Sequence, residues 1–308
     1  MLPIIFSCAG TTLSEAERKL FTRCQPAGFI VFKRNCETPS QTKQLTDALR
    51  DCINQEDVPI LIDQEGGRVV RLDAPHWWPA PAAVSYLQQT SDLMEAARLA
   101  EADAKRTADQ LIAVGINVNC APVLDCPIPD ADQVIGERAY SSSPQEIITL
   151  AKAAIAGYQA GGVIPVIKHI PGHGRALVDS HEALPVVDAS VQDLCDRDFL
   201  PFQALAKSVP WAMTAHVIYT AYDTERCGTI SPKVIQEVIR QHIGFEGVLV
   251  SDDLSMKALS GDVVTKVRDS LAAGCDLALY CDGNLADMEI LANSIAPVKP
   301  ISFPPNIS

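Results

Sequence analysis

Eight short apolar runs alternate with eight helix-like stretches along this chain, and that alternation limits the folds open to it. The runs cover residues 3–8, 28–33, 58–63, 116–124, 163–169, 211–217, 247–252 and 276–281. They are rich in Ile and Val and lack strict polar alternation, the pattern of parallel strands buried on both faces. The stretches between them lie near 14–24, 39–54, 92–114, 144–160, 190–207, 232–242, 262–273 and 285–295. Several open on helix-start signals: Ser14 with Glu17 forms a capping box, and Thr38-Pro39 and Ser143-Pro144 set proline just inside a helix. Strands that alternate with helices build parallel βαβ units. Eight such units predict an α/β, single-domain (β/α)8 TIM-type barrel over residues 1–308. The alternative, an open doubly wound sheet, calls for a glycine-rich dinucleotide fingerprint, which follows none of the candidate strands.

Composition narrows the partners. The 308 residues are 47% hydrophobic and 20% charged, enough for a large core. A net charge of −13 argues against nucleic acid or an anionic membrane as partner, since both are bound through a positive field. No apolar run approaches the roughly 18–20 residues that span a bilayer. The apolar N-terminus lacks a basic region and reads as a first strand rather than a signal peptide. Ten cysteines are scattered with no C-x-x-C pair, and several, such as Cys120 and Cys281, fall inside strand-like runs. That is the usage of small buried hydrophobes in a reducing compartment, so a cytoplasmic location is expected. Segment 73–91, with Trp77, Trp78, Pro75, Pro79 and Pro81, reads as a rim loop or a structural excursion, and the tail after Pro297 as loosely attached chain.

Polar residues gather at the C-terminal ends of the runs: Asp63-Gln64-Glu65 after the third, Asp125 after the fourth, Lys168-His169, Ala215-His216, and Ser251-Asp252-Asp253. In a barrel those ends form the rim that carries chemistry. Asp252 is the best nucleophile candidate, because a buried strand fixes its backbone; strand alternation points Asp253 elsewhere. Segment 168–181 carries Lys168, His169, His173, Asp179 and His181 among Pro-Gly and Gly-His-Gly turns. Asp179 and His181 suit a proton-transfer dyad, since a carboxylate can orient an imidazole and stabilise its charged form. The bland alternative makes Asp179 the cap of a local turn. Asp63, Arg71, Arg138, Lys168 and His169 would form a wall of donors and acceptors suited to adjacent sugar hydroxyls. Arg71 or Arg138 could equally be one half of a structural ion pair. The turns around 170–174 give that segment the composition of a movable flap. His169, His173, Asp179 and His181 include zinc-ligand types, but H-E-x-x-H is absent and Lys168 would repel a cation, so no metal and no cofactor are expected.

Seven motifs in order carry a resemblance: I-D-Q-E-G-G-R-V from Ile62, A-P-V-L-D from Ala121, I-G-E-R-A-Y from Ile135, K-H-I-P-G-H-G from Lys168, D-S-H from Asp179, A-H-V-I-Y from Ala215, and S-D-D-L-S-M from Ser251. The chain resembles the bacterial β-N-acetylglucosaminidases of glycoside hydrolase family 3 over nearly its whole length. The resemblance implies Asp252 as nucleophile, His181 as general acid/base with Asp179 as its partner, and an N-acetylglucosamine pocket lined by Asp63, Arg71, Arg138, Lys168 and His169. It also implies a lone catalytic barrel, taken here to act as a monomer, that removes N-acetylglucosamine from anhydromuropeptides in cell-wall recycling. Ile170 departs from the family pattern, where phenylalanine is usual. Two alternatives are a β-N-acetylglucosaminide phosphorylase and a non-catalytic sugar-binding barrel.

Overall fold

The computed structural model describes residues 1–54, 57–178, 183–256 and 259–301. The strands are β1 (Leu2–Phe6), β2 (Pro26–Val31), β3 (Ile60–Ile62), β4 (Val118–Asn119), β5 (Ile164–Ile170), β6 (Val186–Val187), β7 (Trp211–Thr214), β8 (Ile218–Tyr219), β9 (Val248–Asp253) and β10 (Leu277–Tyr280). Eight of them close into a barrel in the order β1-β10-β9-β7-β5-β4-β3-β2, and β6 and β8 pair as a separate ribbon. The barrel pairings are all parallel. Each barrel strand falls inside one of the eight apolar runs or within two residues of it.

Two cores follow from the two-residue period of a strand. Ile5, Leu61, Val118, Val166, Trp211, Val250 and Leu277 fill the interior. Their neighbours Ile4, Ile60, Ile62, Ile167, Ala212 and Leu249 turn outward and pack with helix residues such as Phe21, Leu45 and Ile147. Carried to the strand ends, the same parity brings Asp63, Lys168 and Asp252 to the inner face, two residues beyond Leu61, Val166 and Val250. Ladder register shifts twice at this rim, between Lys168 and Ile170 on β5 and between Leu277 and Leu279 on β10. Such irregularities re-aim side chains.

The helices begin where their caps dictate. Ser14 and Glu17 close a capping box on Glu15–Cys24, Thr38 caps Pro39–Arg50, and Asp92 caps Leu93–Ala113. Pro144–Ala160, Val263–Ala273 and Leu285–Ser294 complete the longer α-helices. The stretch expected over 190–207 is broken into Val191–Asp193, a π-helical turn Leu194–Asp198, and Leu200–Leu205. Pro201 has no N–H to continue a preceding helix and opens the last piece instead. Val234–His242 is also wound as a π-helix. Segment 73–91 contains a short helix, Ser85–Gln89. The start of the tail is tied down as well: Val298 and Met1 exchange backbone hydrogen bonds at 2.9 and 3.1 Å. All ten cysteines are unpaired, eight of them buried. No helix among the described residues is long and apolar enough to cross a membrane.

Candidate active site

A cavity of about 190 Å³ opens at the C-terminal rim of the barrel, and Asp63, Arg71, Arg138, Lys168, His169 and Asp252 all line it. Ile30, Met213, Leu279 and Cys281 also line it; with Met213, Leu279 and Cys281 belonging to the interior core, they give the polar groups an apolar floor. Asp253 lines the cavity too. This corrects the expectation that strand alternation turns it away: between the pairs Val250–Leu277 and Asp253–Leu279, β9 advances three residues against two of β10, and the extra residue shifts the alternation. Asp253 accepts from the backbone and hydroxyl of Ser255 in a turn, and from the Cys281 N–H at 3.2 Å.

The backbone around Asp252 is pinned on both sides by a buried relay. Its N–H donates to Thr214 Oγ1 at 3.1 Å, and the Thr214 and Thr229 hydroxyls are 2.8 Å apart. Thr229 Oγ1 lies 2.7 Å from His216 Nδ1, and His216 Nε2 lies 3.0 Å from the Asp253 carbonyl. A carbonyl only accepts, so Nε2 carries a hydrogen. The Asp252 carboxylate accepts the Asp253 N–H at 2.8 Å. Burial works against its ionisation, but His216, His169, that N–H and Lys168 outweigh it and hold Asp252 below the usual carboxylate range. Asp253 is pushed the other way, chiefly by burial.

Opposite stands a chain of alternating charges. Arg71 reaches Asp63 at 3.2 Å; Lys168 Nζ lies 2.8 Å from Asp63 and 2.6 Å from Glu65; Arg138 grips Glu65 with two bonds of 2.8 and 2.9 Å. Burial would raise the pKa of both carboxyls, but Lys168 with Arg71 lowers Asp63, and Lys168 with Arg138 lowers Glu65. The same two carboxylates raise Lys168 against its own burial. Asp63, Glu65, Lys168 and Arg138 are therefore charged at neutral pH. Arg71 and Arg138 are thus members of ion pairs and of the cavity wall at once, which the sequence posed as alternatives.

His169 leans on Asp125. Its Nδ1 lies 2.7 Å from Asp125 Oδ2. Burial would raise Asp125, yet His169 and His173 hold it below the usual range. An ionised carboxylate can only accept, so His169 Nδ1 carries a hydrogen and Nε2 is left for the cavity. Segment 170–174 is anchored rather than free: the Tyr219 hydroxyl donates to the Gly172 carbonyl at 2.7 Å, and the His173 N–H donates to Asp125 at 2.7 Å. A Cβ on Gly174 would stand 2.2 Å from the Cys126 carbonyl oxygen, so only glycine fits there.

Five of the eight candidate residues of the site are on the cavity wall, and Asp252 is the sixth. Asp179 and His181 lie outside the described residues. Glu65, Asp125, His173 and His216 belong to the site or its support without having been assigned a role from sequence. Their signal was their place at strand ends, which marks a rim residue but does not say what it touches.

The glycosyl hydrolase family 3 N-terminal domain matches residues 6–300. The chain belongs to glycosyl hydrolase family 3. It is accordingly a glycoside hydrolase built on a TIM-type barrel. Among its relatives is a β-hexosaminidase of Pseudomonas aeruginosa, 36% identical over 302 residues that span 97% of this chain and 88% of the relative. NagZ from Neisseria gonorrhoeae, solved in complex with N-trifluoroacetyl-D-glucosamine, superposes with a TM-score of 0.89 at 31% identity, covering 96% of this chain and 86% of that one. A family 3 β-N-acetylglucosaminidase from Paenibacillus sp. str. FPU-7 gives a TM-score of 0.86 at 32% identity, with 95% of this chain and 56% of that one covered.

Proposed function

We propose that this family 3 hydrolase is a retaining exo-β-N-acetylglucosaminidase. Asp252 attacks the anomeric carbon and forms a glycosyl ester while the bond to the leaving oxygen breaks. His181, oriented by Asp179, gives that oxygen its proton. Water then attacks the anomeric carbon, losing its proton to His181, and N-acetylglucosamine leaves as the bond from that carbon to the Asp252 oxygen breaks and the carboxylate is restored. The observation that carries the reading is the facing arrangement across one cavity: an ionised carboxylate on β9, opposite a wall of fixed donors and acceptors from Asp63, Lys168, Arg71, Arg138 and His169. The wall binds sugar hydroxyls in a preset geometry, which leaves less to reorganise as charge develops. Asp179 and His181 enter through the resemblance of their D-S-H motif.

The natural substrate on this reading is a small glycan, an N-acetylglucosamine-bearing muropeptide, consumed in cytoplasmic cell-wall recycling by a monomeric one-domain enzyme. Turnover of an aryl N-acetyl-β-glucosaminide by the purified protein tests it, with the aryl glucoside as comparison and phosphate present in a parallel run. Fast release from the N-acetylated substrate with free sugar as product supports the reading. Sugar 1-phosphate as product identifies a phosphorylase, and binding without turnover identifies a sugar-binding barrel.

A further inference from the structure

His173 lines the cavity with 2% of its surface exposed, and neither of its ring nitrogens has a hydrogen-bond partner among the described residues. Its position is nevertheless fixed. The backbone N–H is spent on Asp125, the preceding carbonyl takes the Tyr219 hydroxyl, and Gly174 is wedged against the Cys126 backbone. The ring itself meets the His169 ring edge-on, with centroids 5.7 Å apart. A neutral imidazole offers one donor and one acceptor. Buried polar groups left without partners destabilise a fold, and native chains tolerate them chiefly where function uses them. No protein group among the described residues supplies the missing bonds, and the space that the residue borders is the cavity.

We propose that His173 is a binding residue for the glycon, its imidazole exchanging hydrogen bonds with a hydroxyl of the N-acetylglucosaminyl unit. The proposal rests on the reading of this cavity as an N-acetylglucosaminide site. A sugar hydroxyl both donates and accepts, so it can satisfy either nitrogen. Burial, with the neighbouring His169, lowers the His173 pKa to about 4, so the ring binds as the neutral form. That separates its role from proton transfer: a ring with this pKa supplies little acid at neutral pH.

His173→Leu and His173→Gln test the assignment, read by thermal melting and by titration with N-acetylglucosamine and its monodeoxy analogues. Leucine fills a similar volume without unmet hydrogen bonds. The Leu variant is expected to melt no lower than the parent without sugar, and to bind N-acetylglucosamine about tenfold more weakly. The Gln variant, which keeps a donor and an acceptor, recovers part of that affinity. The parent protein loses a similar factor against one monodeoxy analogue, and the Leu variant loses nothing further against that same analogue. Unchanged affinity in the Leu variant, or equal sensitivity of parent and variant to every deoxy position, overturns the proposal. If the Leu variant is too unstable to titrate, the Gln variant and the deoxy series on the parent decide in its place. A parent protein that binds no N-acetylglucosamine rejects the reading of the cavity itself, and the proposal with it.

Discussion

His169 Nδ1 lies 2.7 Å from Asp125 Oδ2, and the other oxygen of that carboxylate accepts the backbone N–H groups of both His169 and His173. One fully buried aspartate therefore sets the tautomer of one cavity imidazole and the backbone of two. Asp125→Asn replaces a carboxylate that accepts all three bonds with an amide that must present its N–H groups on one side. The expected outcome is a loss of about 1.5–3 kcal/mol in denaturant unfolding, with a rise in KM for the glycoside. An Asn variant with parental stability and KM would show that Asp125 does not position His169.

Lys168 is the hub of the charged wall. Lys168→Met leaves Asp63 and Glu65 buried without their shared cation, at an expected cost of about 3–5 kcal/mol near pH 7. The pH dependence has a definite sign. Both carboxyls have folded pKa values below their ordinary ones of 3.8 and 4.5, so their contribution is fully present above the ordinary values and is lost as pH falls through the folded ones. Urea unfolding from pH 7 to pH 3 should show the parent losing stability at the acid end. The Met variant should lose less over that range, because protonation then relieves its unpaired carboxylates.

His173 contributes in a different window. Its folded pKa of about 4 lies below its ordinary 6.5, so the unfolded chain takes up a proton first as pH falls. Stability should drop between pH 6.5 and about 4 by roughly 3 kcal/mol from this group, at about 1.4 kcal/mol per unit. His173→Leu should flatten the profile over that interval. A variant whose profile parallels the parent there would mean that the ring charges freely in the folded protein.

Thr214 supports Asp252 only through the backbone. Thr214→Val keeps the volume, removes the acceptor for the Asp252 N–H and breaks the link to Thr229 and His216. Small displacements of a nucleophile are costly, so kcat should fall about 10- to 100-fold while KM moves little. Equal kcat in steady-state assays would make the relay a matter of packing alone.

The barrel is legible in the sequence because each barrel strand lies in or beside an apolar run and several helices carry a start signal. Strand parity also places Asp63, Lys168 and Asp252 on one face from their spacing to Leu61, Val166 and Val250. Asp253 escapes that argument, since β9 carries one residue more than β10 between their pairs, and only the pairing reveals it. The roles of Glu65 and Asp125 escape it for another reason: Glu65 is 73 residues from Arg138, and Asp125 is 44 from His169. Only folding brings those partners together. Strands β6 and β8, two residues each, carry too short a pattern to read.

The central claim is that Asp252 becomes covalently bonded to the sugar. Trapping the enzyme with a fluorinated N-acetylglucosaminyl probe that slows breakdown of the ester, then mapping the adduct by peptide mass spectrometry, tests it most directly. The expected result is one glycosyl group on the peptide containing Asp252, absent in Asp252→Asn, with turnover of that variant reduced at least about 10³-fold. An adduct on another residue, or an Asp252→Asn variant with near-parental turnover, would contradict the account.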